Sequence, residues 1–446
     1  MTTTAPVAGT DLYRAHFEAL SADGAPAWVQ SLRADAFLRF AARGFPGPRE
    51  EAWRHTNVAP IAKAAFARAE PGGTVAAERL RQLDFGGAFT GWELVFVDGR
   101  FSPALSSAST YDGVRILSLR EALATHGDQV RAHLARLAPP DDADPFRTLS
   151  LSLLEDGAFV ELSPGVAPTA PIHLVFYSTG DPARPAATHP RTLVLAGRGS
   201  HATVIETYAG AEGGLYFTNA VTEIVVEEGA RVDHFKLQRE AEGAFHVSTL
   251  AVELHRDATF SDHNVCVGGA LVRQHVEARF AGTGGDVALF GLSIGDGTQH
   301  HDTHTVVDHA VPHCTSRELY KGVLGGRSRG VFHGKIVVRE DAQKTNAHQS
   351  NRNLLLSRHA LVNSTPALEI HADDVKCKHG STTGQLDPLA LFYLRSRGIG
   401  EQEAKSLLTY AFASDLVSRI TVQPLRVALE AFLHHRLPAS PTEAAS

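Results

Sequence analysis

Thr249-Leu-Ala-Val-Glu-Leu254 alternates along its length: Leu250, Val252 and Leu254 are apolar, whereas Thr249, Ala251 and Glu253 point the other way. Successive side chains of an extended chain lie on opposite faces, so this is the pattern of a strand with one face buried. The same period of two recurs in Phe290, Leu292 and Ile294, and again in Phe332, Gly334, Ile336 and Val338. Glu228-Gly229, Gly268-Gly269, Gly284-Gly285 and Gly325-Gly326 punctuate the runs as turn signals. From about Ala170 to Leu386 no helical pattern of ten or more residues interrupts this alternation, which argues against a βαβ sheet. So many short strands exceed one small sandwich. A large barrel, a propeller and a β-solenoid remain, and clean blade motifs for a propeller are missing. A solenoid stacks each strand on the next coil and needs caps at its ends, and pattern alone puts it slightly ahead of a sandwich or barrel.

Helical spacing flanks this region. Trp28, Val29, Leu32, Ala36 and Phe40 make one stripe, with Arg33 and Asp35 off it, in a helical stretch reaching to about Arg81. Ala404, Leu407, Leu408, Ala411 and Phe412 make a second stripe. A further helix is expected to start at Pro424, with Leu425, Ala428, Leu429 and Phe432 on its apolar face. The tail Pro438–Ser446 is small and polar, as in a frayed end. The expected division is a helical region and lead-in at 1–169, a strand-rich core at 170–386 and a helical region at 387–446.

At 446 residues, 43% hydrophobic and 20% charged, the chain has the composition of a globular protein that can build its own core. Lys+Arg 42 against Asp+Glu 49 leaves −7, without the basic footprint of nucleic-acid binding. Cys266, Cys314 and Cys377 are far apart and form no CxxC pair, so neither a disulfide framework nor a zinc finger is indicated. A reducing cytoplasm is the expected compartment. No basic stretch followed by an apolar run opens the chain, and no segment approaches the length of a membrane span.

Of 24 histidines, 15 fall between His234 and His379. The reading preferred for most is that they decorate the solvent face of short strands. His300-His-Asp-Thr-His304 places His300, Asp302 and His304 on one strand face, a donor set that suits zinc or ferrous iron. Three ligands from one straight strand converge poorly, so an exposed face is expected, and the roles of His300, His301 and His304 stay open. Gly197-Arg-Gly-Ser-His-Ala202 fits GxGxxA, but strand-like residues follow it and the turn reading prevails. Gly334-Lys335 lacks the rest of a P-loop, so any ATP dependence must come from a partner. No GxSxG elbow occurs, and Asp141-Asp142 reads as a solvated pair.

Asp373-Asp-Val-Lys-Cys-Lys-His379 carries the most chemistry. If extended, it puts Val375, Cys377 and His379 on one face and Lys376 and Lys378 on the other. A thiolate and an imidazole two residues apart form half of a soft metal site, with nearby lysines expected to lower the thiol pKa. Two ligands cannot close a tetrahedral site, so a partner or water must supply the rest. A buried structural cysteine is an equally good reading of the spacing.

Ala372–Gly384 followed by Phe392-Tyr-Leu-Arg-Ser-Arg-Gly-Ile399 resembles the C-terminal signature of the SufB/SufD family of iron–sulfur cluster assembly scaffold proteins. Pro48-Arg-Glu-Glu-Ala-Trp-Arg-His55 resembles the family's N-terminal stretch. Arg395, Ser396, Arg397, Gly398 and Ile399 are similar to the SufD-type branch, where SufB-type members carry cysteine and glutamine in the matching stretch. The low cysteine number also suits that branch.

The resemblance implies a right-handed parallel β-helix between helical regions. It implies a complex with SufB, through the last turns of the β-helix, and with two copies of the ATPase SufC. SufC would dock on the C-terminal helices carrying the two stripes above. Cys377 and His379 would then lie at the SufB interface and complete a site for nascent cluster assembly or for iron. It further implies a scaffold rather than an enzyme, with iron or a cluster held transiently together with SufB and none held permanently alone. A homodimer is possible when the chain is isolated. Two other readings compete: a β-helix carbohydrate-active enzyme, for which the expected secretion signal is absent, and a self-contained histidine-rich metal protein.

Overall fold

The computed structural model describes residues 10–436 apart from positions 21–22, 65, 71–72, 74, 77, 80–82, 84, 86–88, 108–110 and 142–143. The helical expectation at Arg81, Asp142 of the acidic pair and the tail Pro438–Ser446 lie outside the described residues.

A strand that pairs in parallel with a later one needs a return path, which in α/β folds is a helix. Here the return path is another strand, in an opposing sheet. One sheet stacks Arg191–Ala196, Tyr216–Val226, Phe245–Leu254, Leu271–Phe280, His300–His309, Arg329–Val338 and Leu361–Ile370. The other stacks Ile172–Ser178, His201–Gly210, Arg231–Arg239, Thr259–Cys266, Asp286–Gly295, Thr315–Leu324, Asn346–Leu355 and Lys376–Gly384. The chain alternates between them, so the fold is a parallel β-solenoid of about seven turns with helical regions at both ends. Register is kept from coil to coil: Thr222, Leu250, Val276, Thr305 and Gly334 stand side by side. Gly269 and Gly326 turn corners at positive φ, where a side chain is strained.

Leu250, Val252 and Leu254 point inward and meet Val276, Ala278, Phe280, Val232 and Phe260 in the main core. Each such side chain, fully buried, contributes about 1.5–3 kcal/mol. Phe290, Leu292 and Ile294 alternate in the same way but face outward. Leu292 and Ile294 are buried there beneath the C-terminal helices, and Phe290 packs against the same cluster. The middle of the second sheet is thus covered on both faces.

The beginning of the solenoid is closed. Trp92–Val97 adds a parallel strand to the second sheet, and Val114–Ser118 seals the first sheet antiparallel to Ala158–Leu162. Around this end lie α1 (Thr10–Leu20), α2 (Ala27–Arg43), α3 (Ala59–Lys63), α4 (Leu119–Thr125), α5 (Gly127–His133) and α6 (Pro145–Ser152). Tyr13, Phe40, Trp53 and Phe146 bury Phe217, Val247 and Leu271 on the outer face of the first sheet. The stripe predicted in α2 forms as expected, with one correction. Arg33 is buried, and both ends of its guanidinium donate to Asp23, at 3.1 and 3.0 Å.

The other end is open. Leu361–Ile370 and Lys376–Gly384 are the terminal strands of their sheets, with Leu361 52% and Ile370 41% exposed. Beyond them come α7 (Pro388–Ser396), α8 (Glu401–Val417) and α9 (Gln423–Arg436).

Candidate functional site at the open end

Lys376–Gly384 pairs on one side with Asn346–Leu355, Ala347 opposite Cys377 and Gln349 opposite His379. Period-two alternation therefore carries the inner face of the solenoid to its rim as Cys377 and His379. Cys377 is half-buried against Ile336, Val338, Ala347 and Ala372, while His379 is exposed. Lys376 and Lys378 point outward, Lys378 beside His348. This corrects the expected thiol chemistry. Burial raises the Cys377 thiol above its ordinary value, with the backbone N–H of Ala347 pulling weakly the other way. The lysines sit on the opposite face of the strand, where they do not make a thiolate of Cys377.

The other cysteines are remote from the rim. Cys266 lies in the lumen, its sulfur 3.4 Å from Gln238 Oε1, and burial pushes its thiol up to about 12. The Cys314 sulfur is 3.6 Å from the Gly282 carbonyl, and burial raises it too. Among the described residues no three His, Cys, Asp or Glu side chains converge on a metal position. At the rim, Cys377 and His379 bring two donor side chains to one strand face.

Behind the rim runs a polar lumen that the sequence analysis missed. The His234 ring is wholly buried, 2.7 Å from Asp262 Oδ1 and 3.7 Å from Glu206 Oε2. Burial alone lowers its pKa most strongly, yet the hydrogen bond to Asp262 and the nearby Glu206 carboxylate outweigh it and raise His234 to about 9. One residue pair further on, Lys236 Nζ donates to His246 Nε2 at 3.1 Å, and the opposite ring nitrogen is 2.8 Å from Glu240. Nearer the rim, Glu318 accepts from Thr305 Oγ1 at 2.6 Å and from Gln349 Nε2 at 3.1 Å. Burial raises it to about 7 against those bonds. Gly334 makes room for Gln349, since a Cβ there would stand 2.3 Å from its Nε2. The histidines at 234, 246 and 309 are inside the coil, not on the solvent face where most were expected. The available signal was parity: Glu206, His234, Lys236, Asp262 and Asn264 hold the inward positions of their strands.

His300–His304 is also not an exposed face. Asp302 is buried, paired with Arg273 Nη1 at 2.5 Å and hydrogen-bonded by Thr56, whose Oγ1 is also 2.9 Å from His300 Nε2. Trp53 lies 3.8 Å beneath the Arg273 guanidinium. The N-terminal stretch Pro48–His55 is therefore the cover of this face. His301 points inward to Ser293 Oγ at 2.8 Å and the Gly268 carbonyl at 3.1 Å.

At the C-terminus the predicted stripes divide. Leu425 and Leu429 are buried on the second sheet with Phe235, Leu237 and Val265, and Ala428, Phe432 and Phe412 pack on the same cluster. Ala404 is buried, whereas Leu407 is 43% exposed, Ala411 exposed and Leu408 half-buried. Lys321 Nζ pins α8 through the Phe412 carbonyl and Asp415 Oδ2, both at 2.8 Å. In α7 no residue is buried, and Leu389 and Phe392 are 77% and 69% exposed. The signature Arg395–Ile399 ends this helix. Gly398 stands at φ +87°, and the Ile399 N–H returns to the Leu394 carbonyl. Arg395 approaches Glu401 at 3.5 Å, and Arg397 lies over the Tyr393 ring.

Among the described residues no helix is long and apolar enough to cross a membrane. Residues 176–412 match the model of the SufBD core domain of the SUF iron–sulfur cluster assembly system, and residues 8–174 match the SufBD N-terminal region. The chain is 32% identical over 398 residues to the iron–sulfur cluster assembly protein SufD of Escherichia coli K12, covering 89% of this chain and 90% of that protein. It is 31% identical over 397 residues to a SufBD family protein of Synechocystis, covering 85% of each. A chloroplastic protein of Arabidopsis thaliana, ABCI7, is 32% identical over 294 residues, 64% of this chain. With both family models matched along one solenoid and its caps, the chain belongs to the SufB/SufD family of iron–sulfur cluster assembly proteins and is SufD-like within it.

Proposed function

We propose that this chain is the SufD-type scaffold subunit of a SufB–SufC–SufD assembly and contributes Cys377 and His379 to a site completed by SufB. The observation that carries this reading is the rim: two terminal strands each with one free edge, one of them carrying a thiol and an imidazole on its inner face. Unpaired strand edges invite a partner's strands. A soft half-site at such an edge is completed when that partner brings further ligands. Iron or a nascent cluster is the cargo. The second anchor is the exposed side of α7 and α8, where Leu389, Phe392 and Leu407 offer an apolar patch to the ATPase. ATP-driven pairing of two SufC copies pulls on these helices. Through Lys321, which ties α8 to the second sheet, the strain reaches the rim and exposes the half-site.

Co-expression with the cognate SufB and SufC tests this reading: the three chains are expected to co-elute, and a chain that ignores both partners overturns it. Leu407→Glu is expected to leave thermal stability within about 0.5 kcal/mol, as for other surface changes. The same substitution is expected to weaken SufC capture roughly tenfold, as at an interface anchor. Unchanged capture would remove α8 from the docking face.

A further inference from the structure

Stacking coils does to histidines what the linear motif could not. His275, His304 and His333 come from strands one coil apart and stand in register on the outer face of the first sheet. His275 is already engaged, Nε2 3.2 Å from Glu277 Oε1 and Nδ1 3.7 Å from Asp144 Oδ2. His304 and His333 are the close pair, with ring centres 5.0 Å apart and planes inclined at 49°. His304 Nε2 lies 3.1 Å from Asp302 Oδ1, which orients the ring and leaves Nδ1 outward. A carboxylate behind a ligating imidazole is the usual support of a metal-bound histidine.

The spacing has a metrical meaning. Zn–N bonds are about 2.0–2.1 Å and an imidazole's centre lies roughly 1.1 Å behind its nitrogen, so two rings sharing a tetrahedral ion have centres about 5 Å apart. Adjacent parallel strands, about 4.8 Å apart, supply that separation without strain.

We propose that His304 and His333, with water completing the coordination, form a two-imidazole site for a divalent first-row transition-metal ion on the outer face of the solenoid. Two imidazoles with open positions for water suit Fe2+ or Zn2+ and disfavour Mg2+, which prefers oxygen ligands. Burial disfavours the charged form of both rings. With His304 anchored by Asp302, the His333 ring supplies the second nitrogen across the strand pair. The site stands on a separate strand face from Cys377 and His379 and does not depend on the role proposed for them.

Calorimetric titration of the full chain with Zn2+ tests this, in a Cys377→Ser/His379→Asn background that removes the rim ligands. One Zn2+ per chain is expected, bound roughly tenfold or more weakly after His333→Asn. His275→Asn, whose ring is engaged by Glu277, is expected to leave it unchanged. His333 is half-exposed and its replacement spares the buried Asp302 pairing, so a folded variant is expected and is checked by thermal unfolding. Zn2+ binding that survives His333→Asn undiminished, absence of one-to-one binding, or equal competition by Mg2+ overturns the proposal.

Discussion

Replacing Cys377 by alanine in a SufB–SufC–SufD assembly is expected to lower the iron and sulfide held after anaerobic reconstitution by roughly tenfold or more, since even outer-shell changes cost about 10–100-fold in metal affinity. The three chains should still co-elute, because Cys377 is a half-buried side chain at the rim and its loss leaves the strand pairing Asn346–Leu355 with Lys376–Gly384 intact. His379→Ala should act in the same direction. It is exposed and removes a ligand without leaving a cavity. Because burial raises the Cys377 thiol, metal uptake releases a proton there and should strengthen as pH rises toward the thiol pKa. A cluster content equal to wild type in both variants would leave the scaffold reading standing but remove the rim as its site. Loss of co-elution would instead mark these residues as structural.

Stability should fall between about pH 6.5 and pH 9, and His234→Gln should flatten that fall. His234 is wholly buried between Glu206 and Asp262 and its pKa is raised to about 9 in the folded chain, against an ordinary value of 6.5. A raised histidine stabilises the fold fully below its unfolded pKa and loses that contribution as pH climbs through the folded one. At about 1.4 kcal/mol per unit, the contribution is on the order of 3 kcal/mol. Glu318, raised by burial to about 7, titrates at the lower edge of the same window, so the comparison with His234→Gln is what isolates the histidine. Asp262→Ala should be harsher, about 3–5 kcal/mol, because it strands a buried cation. Denaturant unfolding across the pH range measures both. A wild-type curve with no decline toward pH 9, or one matched by His234→Gln, would mean that the ring is not charged in the lumen.

Particular residues show how far the sequence reaches. Leu250, Val252 and Leu254 announced a strand and its apolar side by spacing alone, because pleating forces alternation on any extended chain. The glycine-marked turns, the absence of intervening helices and the stretch Ala372–Gly384 with Phe392–Ile399 led to a solenoid and to a family. Cys377 and His379 were legible as a pair for the same reason, since two residues apart in a strand is one face wherever the strand lies.

What parity cannot say is which face is inside. Phe290, Leu292 and Ile294 have the spacing of Leu250, Val252 and Leu254 yet look outward, because the C-terminal helices cover that sheet. Glu206, His234 and Asp262 occupy inward positions, and they are tolerated because the His234 cation stands between carboxylates from the coils on either side, with Lys236 close by. His304 and His333 are far apart in sequence and neighbours in space. Local geometry, set by the backbone of each strand, was determined by the sequence read on its own. Partners across coils depend on how many residues each corner consumes and on what covers each sheet, and only the tertiary structure decided them.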